Sequence, residues 1–390
     1  MIKNKRKLRF SKGLTVVELM ISIAVLLMIL TLVTNMIFST ARTQSRVRME
    51  NHMRGSVQTA LFRLSAQLNQ TRMIMENNTL GYDYLNKLNF NGAPPVVGSS
   101  PSTVLSLSHT ATSKHLLPSI MPAGSLSPEK DCTNYPNNFF RSNSVGNMLL
   151  FSQYLGKYSR FAIAAATDKR SIDLYAFKLY YLTDDNNLPA KNVLDFWSNT
   201  PTKRALRLIE WTSQPYADYD QLLSYVTDSV ANTATIRANL IAAGVNHAWR
   251  RSATTYNNAF YNVAGVGATL TANAAHVINR ARINDVLRFG SDSYSVAYNT
   301  NNNSASSSYF PIRHQTPFFY AHNPPACSGA SPAPNTTPDA ANGAFPYGFE
   351  VLITGPASGR NVLLRITSAA RSYNGLVSHA DMLTTFARDL

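Results

Sequence analysis

Acidic side chains and prolines are both missing from the start of this chain. The first thirteen residues, MIKNKRKLRFSKG, hold no acid, Glu18 is the only charge from Gly13 to Ala41, and no proline occurs before Pro94. The lack of proline removes any enforced helix break over that whole stretch. Cysteine is scarce too: Cys132 and Cys327 are the only two in 390 residues, and their spacing resembles no metal site. The eight histidines (His52, His109, His115, His247, His276, His314, His322 and His379) are scattered without an H-E-x-x-H pattern, so solvated or locally bonded imidazoles are expected. Gly355 to Arg360 lacks the Lys-Ser/Thr of a phosphate loop, and Leu270 stands where a dinucleotide fingerprint starting at Gly265-Val266-Gly267 needs its third glycine. No G-x-S-x-G occurs. A triad of distant residues is not excluded by these absences, but nothing points to one, and the reading is of a non-enzyme without cofactor.

What is present begins with charge. Lys3, Lys5, Arg6, Lys7, Arg9 and Lys12 make the opening strongly basic, which places it on the cytoplasmic side of a membrane. From Leu19 to Phe38 run twenty mostly apolar residues, and as a helix at ~1.5 Å per residue they match a hydrocarbon core of about 30 Å. Glu18 sits at the edge of that span, where an unpaired carboxylate costs on the order of a few kcal/mol and needs a partner. Thr15-Val16-Val17-Glu18 also fits a capping box, in which the glutamate satisfies backbone donors at a helix start. A further alternative is an ordinary secretory signal cut after Ser39-Thr40-Ala41, which would release a soluble chain starting at Arg42.

Lys12-Gly13-Leu14-Thr15-Val16-Val17-Glu18-Leu19 resembles the signal of type IV prepilins and type II secretion pseudopilins. The resemblance implies cleavage by a prepilin peptidase between Gly13 and Leu14, N-methylation of Leu14, and an assembly ion pair between Glu18 and the terminal ammonium of a neighbouring subunit. Leu14 stands where the family usually has Phe, and the mid-membrane proline common in major pilins is absent near Asn35. Removing residues 1–13 leaves 30 basic against 21 acidic residues.

Past the apolar span, Val47, Met53, Val57, Leu61, Leu64 and Leu68 recur on one helical face. The expected helix runs from Leu14 to Glu76, about 90 Å long, with Asn77 to Gly81 as its stop. Residues 14–40 form the transmembrane half, residues 41–76 the amphipathic half, and residues 77–390 a β-rich domain outside the cytoplasm. Alternation marks strands at 172–182 and 205–211, expected as an antiparallel pair, and a closing pair is expected at 349–353 and 362–366. These two regions loosely resemble PilW-like minor pilins and pseudopilin J. Residues 148–151, 286–289 and 294–298 also read as strand, residues 219–246 as helix, and 259–275 as a helix or long loop. From Gly81 to about Tyr158 the chain is rich in Pro, Ser and Asn with short apolar runs such as Val104 to Leu107, and reads as loops joining short strands; residues 299–345, dominated by Asn, Ser, Pro and Ala, read as a long surface excursion.

The resulting expectation is an α+β, pilin-like fold: a long N-terminal helix packed on an antiparallel sheet with long loop insertions. Implied partners are the inner membrane, the prepilin peptidase, other major and minor pilins and the pilus assembly platform. The implied location is single-pass in the inner membrane and then in a surface or periplasmic filament. The large ectodomain suggests a tip or initiation role; the alternatives are a type II secretion pseudopilin and a tip adhesin or DNA-capturing subunit. For DNA, the cationic pairs Lys203-Arg204 and Arg250-Arg251 with Trp211 and Trp249 supply phosphate contacts and stacking surfaces. Export to an oxidising compartment favours a disulfide between Cys132 and Cys327 over two free thiols.

Overall fold

Fifty-three residues, Val16–Leu68, form one unbroken helix (α1) in the computed structural model, close to 80 Å long at ~1.5 Å per residue. The structure describes residues 15–90, 117–121, 146, 148–159, 171–183, 207–228, 233–288, 293–295, 349–372 and 375–389. Every α1 residue from Val16 to Arg48 is exposed, and burial begins only in the second half, at Met53, Val57, Ala60, Leu61, Leu64 and Leu68. That stripe matches the expected apolar face, except that Val47 is half-exposed and lies before the packed region.

The helix stops eight residues short of the expected Glu76. Thr71–Ile74 form strand β1, antiparallel to β3 (Met148–Tyr158). Pairing with a partner about eighty residues away satisfies the backbone of this short segment, and that outweighs its modest helical preference. Asn77 to Gly81 is therefore a helix start. The Asn78 side chain accepts from the Gly81 N–H at 2.8 Å and caps α2 (Thr79–Asn86). A Cβ at Gly81 would stand 2.0 Å from the Glu76 carbonyl oxygen, so the chain needs glycine there.

Two mixed sheets receive α1. In the larger, β4 (Ile172–Thr183) is the hub. It pairs along one edge with β3 and along the other with β5 (Arg207–Ser213) and β6 (Tyr216–Asp218), all antiparallel. Beyond these lie β7 (His247–Trp249), β8 (Phe260–Asn262), β9 (Thr271–Ala272) and β10 (Arg280–Arg288), which borders β5. The smaller sheet holds β2 (Ile120–Met121), β11 (Ser293–Ser295), β12 (Phe349–Thr354), β13 (Arg360–Ser372) and β14 (Gly375–Ala387). The expected pairs β4–β5 and β12–β13 are both present and antiparallel. A wholly antiparallel sheet is not: β6–β7 and β12–β2 run parallel. Residues 259–275, expected as a helix or loop, supply β8 and β9.

Hydrophobic burial explains the layering. The α1 stripe packs between the sheets, against Leu149, Phe151, Tyr180 and Leu208 of one and Phe349, Val351, Ile353, Val362 and Leu364 of the other. On the opposite face of β4, Phe177, Leu179 and Tyr181 join Trp211, Trp249, Phe260 and the α2 residues Tyr84 and Leu85 in an aromatic core. Alternation along β4 thus distributes apolar side chains between two cores, and the strand is buried on both faces. Helices α3 (Tyr219–Asp228) and α4 (Thr233–Ala242) occupy the expected helical region and close a third cluster with Leu222, Val226, Ile236 and Leu240.

Candidate functional site: the two ends of the long helix

Thr15 caps α1 in an extended conformation, with both halves of the capping box formed. The Thr15 N–H and hydroxyl donate to Glu18 Oε2 at 2.9 and 3.0 Å, and the Glu18 N–H donates to Thr15 Oγ1 at 3.3 Å. Both bonds accepted by the Glu18 carboxylate fall on one oxygen, and among the described residues Oε1 accepts none. From Val16 to Phe38 the helix presents large apolar side chains in every direction, including Leu19, Ile23, Leu27, Leu30 and Val33. Its few hydroxyls turn inward on the backbone: Ser22 donates to the Glu18 carbonyl, Thr31 to Leu27 and Thr34 to Leu30. This helix, near the N-terminus, is long and apolar enough to cross a membrane. Gly13 and Leu14, the expected cleavage residues, lie outside the described residues, as do Cys132, Cys327, the Lys203-Arg204 pair and most of the low-complexity excursions.

At its other end α1 is clamped by charge. Arg63 and Gln67, one turn apart, face Glu210 of β5, whose side chain is fully buried. Arg63 Nη2 approaches Glu210 Oε2 at 2.8 Å, and Gln67 Nε2 donates to the same oxygen at 3.0 Å. The Lys178 ammonium of β4 donates to Glu210 Oε1 and Gln67 Oε1, both at 2.8 Å. Tyr180 OH contacts Gln67 Oε1 and lies 3.2 Å from Glu210 Oε2, while Arg282 of β10 stands 3.8 Å from Glu210 Oε1. Burial alone would raise the Glu210 carboxyl. The hydrogen bonds from Lys178 and Gln67 and the charges of Lys178 and Arg63 outweigh it and bring the group down to about 2.

This clamp was not anticipated, although it left a trace in the sequence. Lys178 interrupts the apolar run of β4, and Glu210 interrupts that of β5. The parity of β4 puts Lys178 on the face of Tyr180 and Leu182, the face that meets α1. Residue Tyr180 is directly opposite Glu210 across the strand pair, which makes Lys178 and Glu210 diagonal neighbours.

A second buried titratable group lies on the far side of β4. His276 stacks near His247, ring centroids 4.1 Å apart, and its Nε2 is 3.1 Å from Tyr216 OH. Burial, then the neighbouring His247, holds His276 down to about 2, and burial also lowers His247. An unfolded histidine takes up its proton near 6.5, so below that pH the unfolded chain binds more protons and stability falls as pH drops. Glu210 adds to the loss in the same direction once pH passes below about 4.5, the range over which only the unfolded carboxyl protonates. Chemical denaturation of the detergent-solubilised chain should therefore show its unfolding free energy falling below pH 6.5, by up to about 1.4 kcal/mol per pH unit for a histidine held neutral, and more steeply below pH 4.5. An unfolding free energy flat from pH 7 to 5 would contradict this arrangement.

Trp211 and Trp249 are fully buried, their Nε1–H groups bound to the Asn89 carbonyl and to Tyr84 OH. They offer no surface to a nucleic-acid base, which removes the stacking half of the DNA expectation. Arg250 and Arg251 instead lie over the Tyr219 and Tyr175 rings at 5.4 and 5.8 Å. Among the described residues no three His, Cys, Asp or Glu side chains come together as a metal site. The chain matches no family model, no curated protein and no solved structure.

Proposed function

We propose that this chain is a membrane-anchored minor subunit of a type IV pilus-like filament, resembling PilW-type minor pilins and acting in assembly initiation or at the tip. One observation carries the reading: a single continuous helix joins an all-round exposed apolar half, with one carboxylate at its mouth, to a second half clamped between two sheets. An apolar rod exposed on every side needs lipid or other apolar rods around it, and a subunit that moves from membrane to filament meets both. The Glu18 carboxylate keeps one oxygen available for the ammonium that cleavage at Gly13 would create on a neighbour. A methyl group on that amine does not remove its charge at neutral pH. The bulky domain behind the rod would crowd a repeating shaft and is accommodated at an end.

N-terminal sequencing of the chain from cells carrying a prepilin peptidase tests the proposal. The mature chain should begin at Leu14. A start at Arg42 would make it a soluble secreted protein, and an intact Met1 would remove the leader and with it the filament reading.

A further inference from the structure

Arg42, Arg46, Arg48 and Arg54 follow directly on the apolar half of α1, and all four are exposed. Only Glu50 opposes them in that stretch. Several arginines packed on the folded domain are engaged. Arg63 bonds Glu210, Arg207 pairs with Asp285, Arg237 donates to the carbonyls of Val263, Gly267 and Thr269, and Arg360 pairs with Asp389. Among the described residues, Arg42, Arg46, Arg48 and Arg54 make no such bond. The buried stripe of α1 starts at Met53, so the first three lie before any contact with the sheets.

Their placement around the helix identifies the partner. At ~100° per residue, Arg46, Arg48 and Arg54 stand about 40°, 240° and 120° round from Arg42. Arg54 stands ~18 Å along the axis from Arg42, beyond the level of the other three, but Arg42, Arg46 and Arg48 alone spread over about 160° of the helix; a protein docking on one side needs only a stripe, whereas a lipid headgroup layer meets the whole of such a partial collar. Arg42 to Arg48 span ~9 Å along the axis, comparable to a headgroup layer on the order of 5 to 7 Å deep plus the reach of a long side chain. A planar guanidinium takes two phosphate oxygens at once. We propose that this collar binds the phosphates of anionic phospholipids, in the leaflet opposite residues 1–13, and so sets the depth of the rod while the chain resides in the membrane. The inference rests on reading Leu19–Phe38 as membrane-spanning, and it extends the filament proposal to the stage before assembly.

The test uses the full chain in phosphatidylcholine vesicles carrying spin-labelled phosphatidylglycerol or spin-labelled phosphatidylcholine. Flotation with the vesicles comes first. Electron spin resonance then reports which labelled lipid is held at the protein surface. The wild type should prefer phosphatidylglycerol, and the variant R42Q/R46Q/R48Q should lose about fivefold or more of that preference. Its leader cations are the same, so the difference belongs to the collar. The matching three-lysine variant should keep most of the preference, and salt near 1 M should erase it. If the chain fails to float, the spanning reading falls and takes the collar with it. Equal preference in wild type and glutamine variant, with both floating, overturns the collar alone. So does a glutamine variant that keeps its lipid preference yet no longer enters filaments, because the arginines would then face protein.

Discussion

Glu210→Ala should cost the folded chain about 3 to 5 kcal/mol, measured by chemical denaturation in detergent at pH 7. Its carboxylate is the only acid within reach of Lys178, Arg63 and Arg282 in the described structure, and Lys178 is as deeply buried as Glu210. Truncation leaves an ammonium out of water with only the Gln67 amide oxygen as an acceptor. Burial already lowers the Lys178 pKa, and the attraction of Glu210 is what opposes that pressure. Removing both charges is a different matter. The pair Glu210→Leu/Lys178→Met should recover most of the loss, since an apolar pair of similar volume is often as stable as a buried ion pair. A Glu210→Ala loss under 1 kcal/mol would show that the clamp does not hold α1 in place.

Glu18→Ala should reduce entry of the subunit into filaments on the order of tenfold or more, while membrane insertion and leader removal continue. The size follows from losing a charge-assisted contact of roughly 1.5 to 3 kcal/mol at each subunit junction. Alanine also deletes the cap on α1, a loss of ~1 kcal/mol that by itself would fray the helix start. Glu18→Gln separates the two effects, because glutamine still serves a capping box but carries no charge. Both variants should therefore fail alike. If Glu18→Gln enters filaments as well as wild type, the glutamate is a local cap and its intermolecular role is lost. The readout is the amount of variant chain in sheared, purified filaments relative to its amount in the membrane.

Features written in local periodicity were legible in the sequence. The stripe from Met53 to Leu68, the alternation in β4 and β5, and the capping box at Thr15 each occupy a few consecutive turns or residues, and each recurs in the structure. Features created by distant pairing were not. Thr71–Ile74 become strand only because Phe151 to Gln153 lie alongside. Strand β14, GLVSHADMLTTFA, carries no regular alternation, yet it pairs along its whole length with β13. The clamp belongs to the same class: Lys178 and Glu210 were visible as charges inside apolar runs, but their partners Arg63 and Gln67 come from a helix more than one hundred residues earlier. Arg250 and Arg251 illustrate the reverse error, since adjacency in sequence to Trp249 implied a shared surface that burial of the indole denies.

Docking of α1 also imposes an order in time. Its packed half lies on β13 and β14, where the Ser65 and Thr385 hydroxyls meet at 2.6 Å across 320 positions of chain, and Asp389 holds both the Ile74 amide and Arg360. At a ribosomal pace of about 5 to 20 residues per second, those strands emerge roughly 15 to 60 s after the stripe they must cover. For that interval the nascent polypeptide carries an uncovered apolar ridge. A holding chaperone, or a lipid surface, must shelter it until β14 has been synthesised.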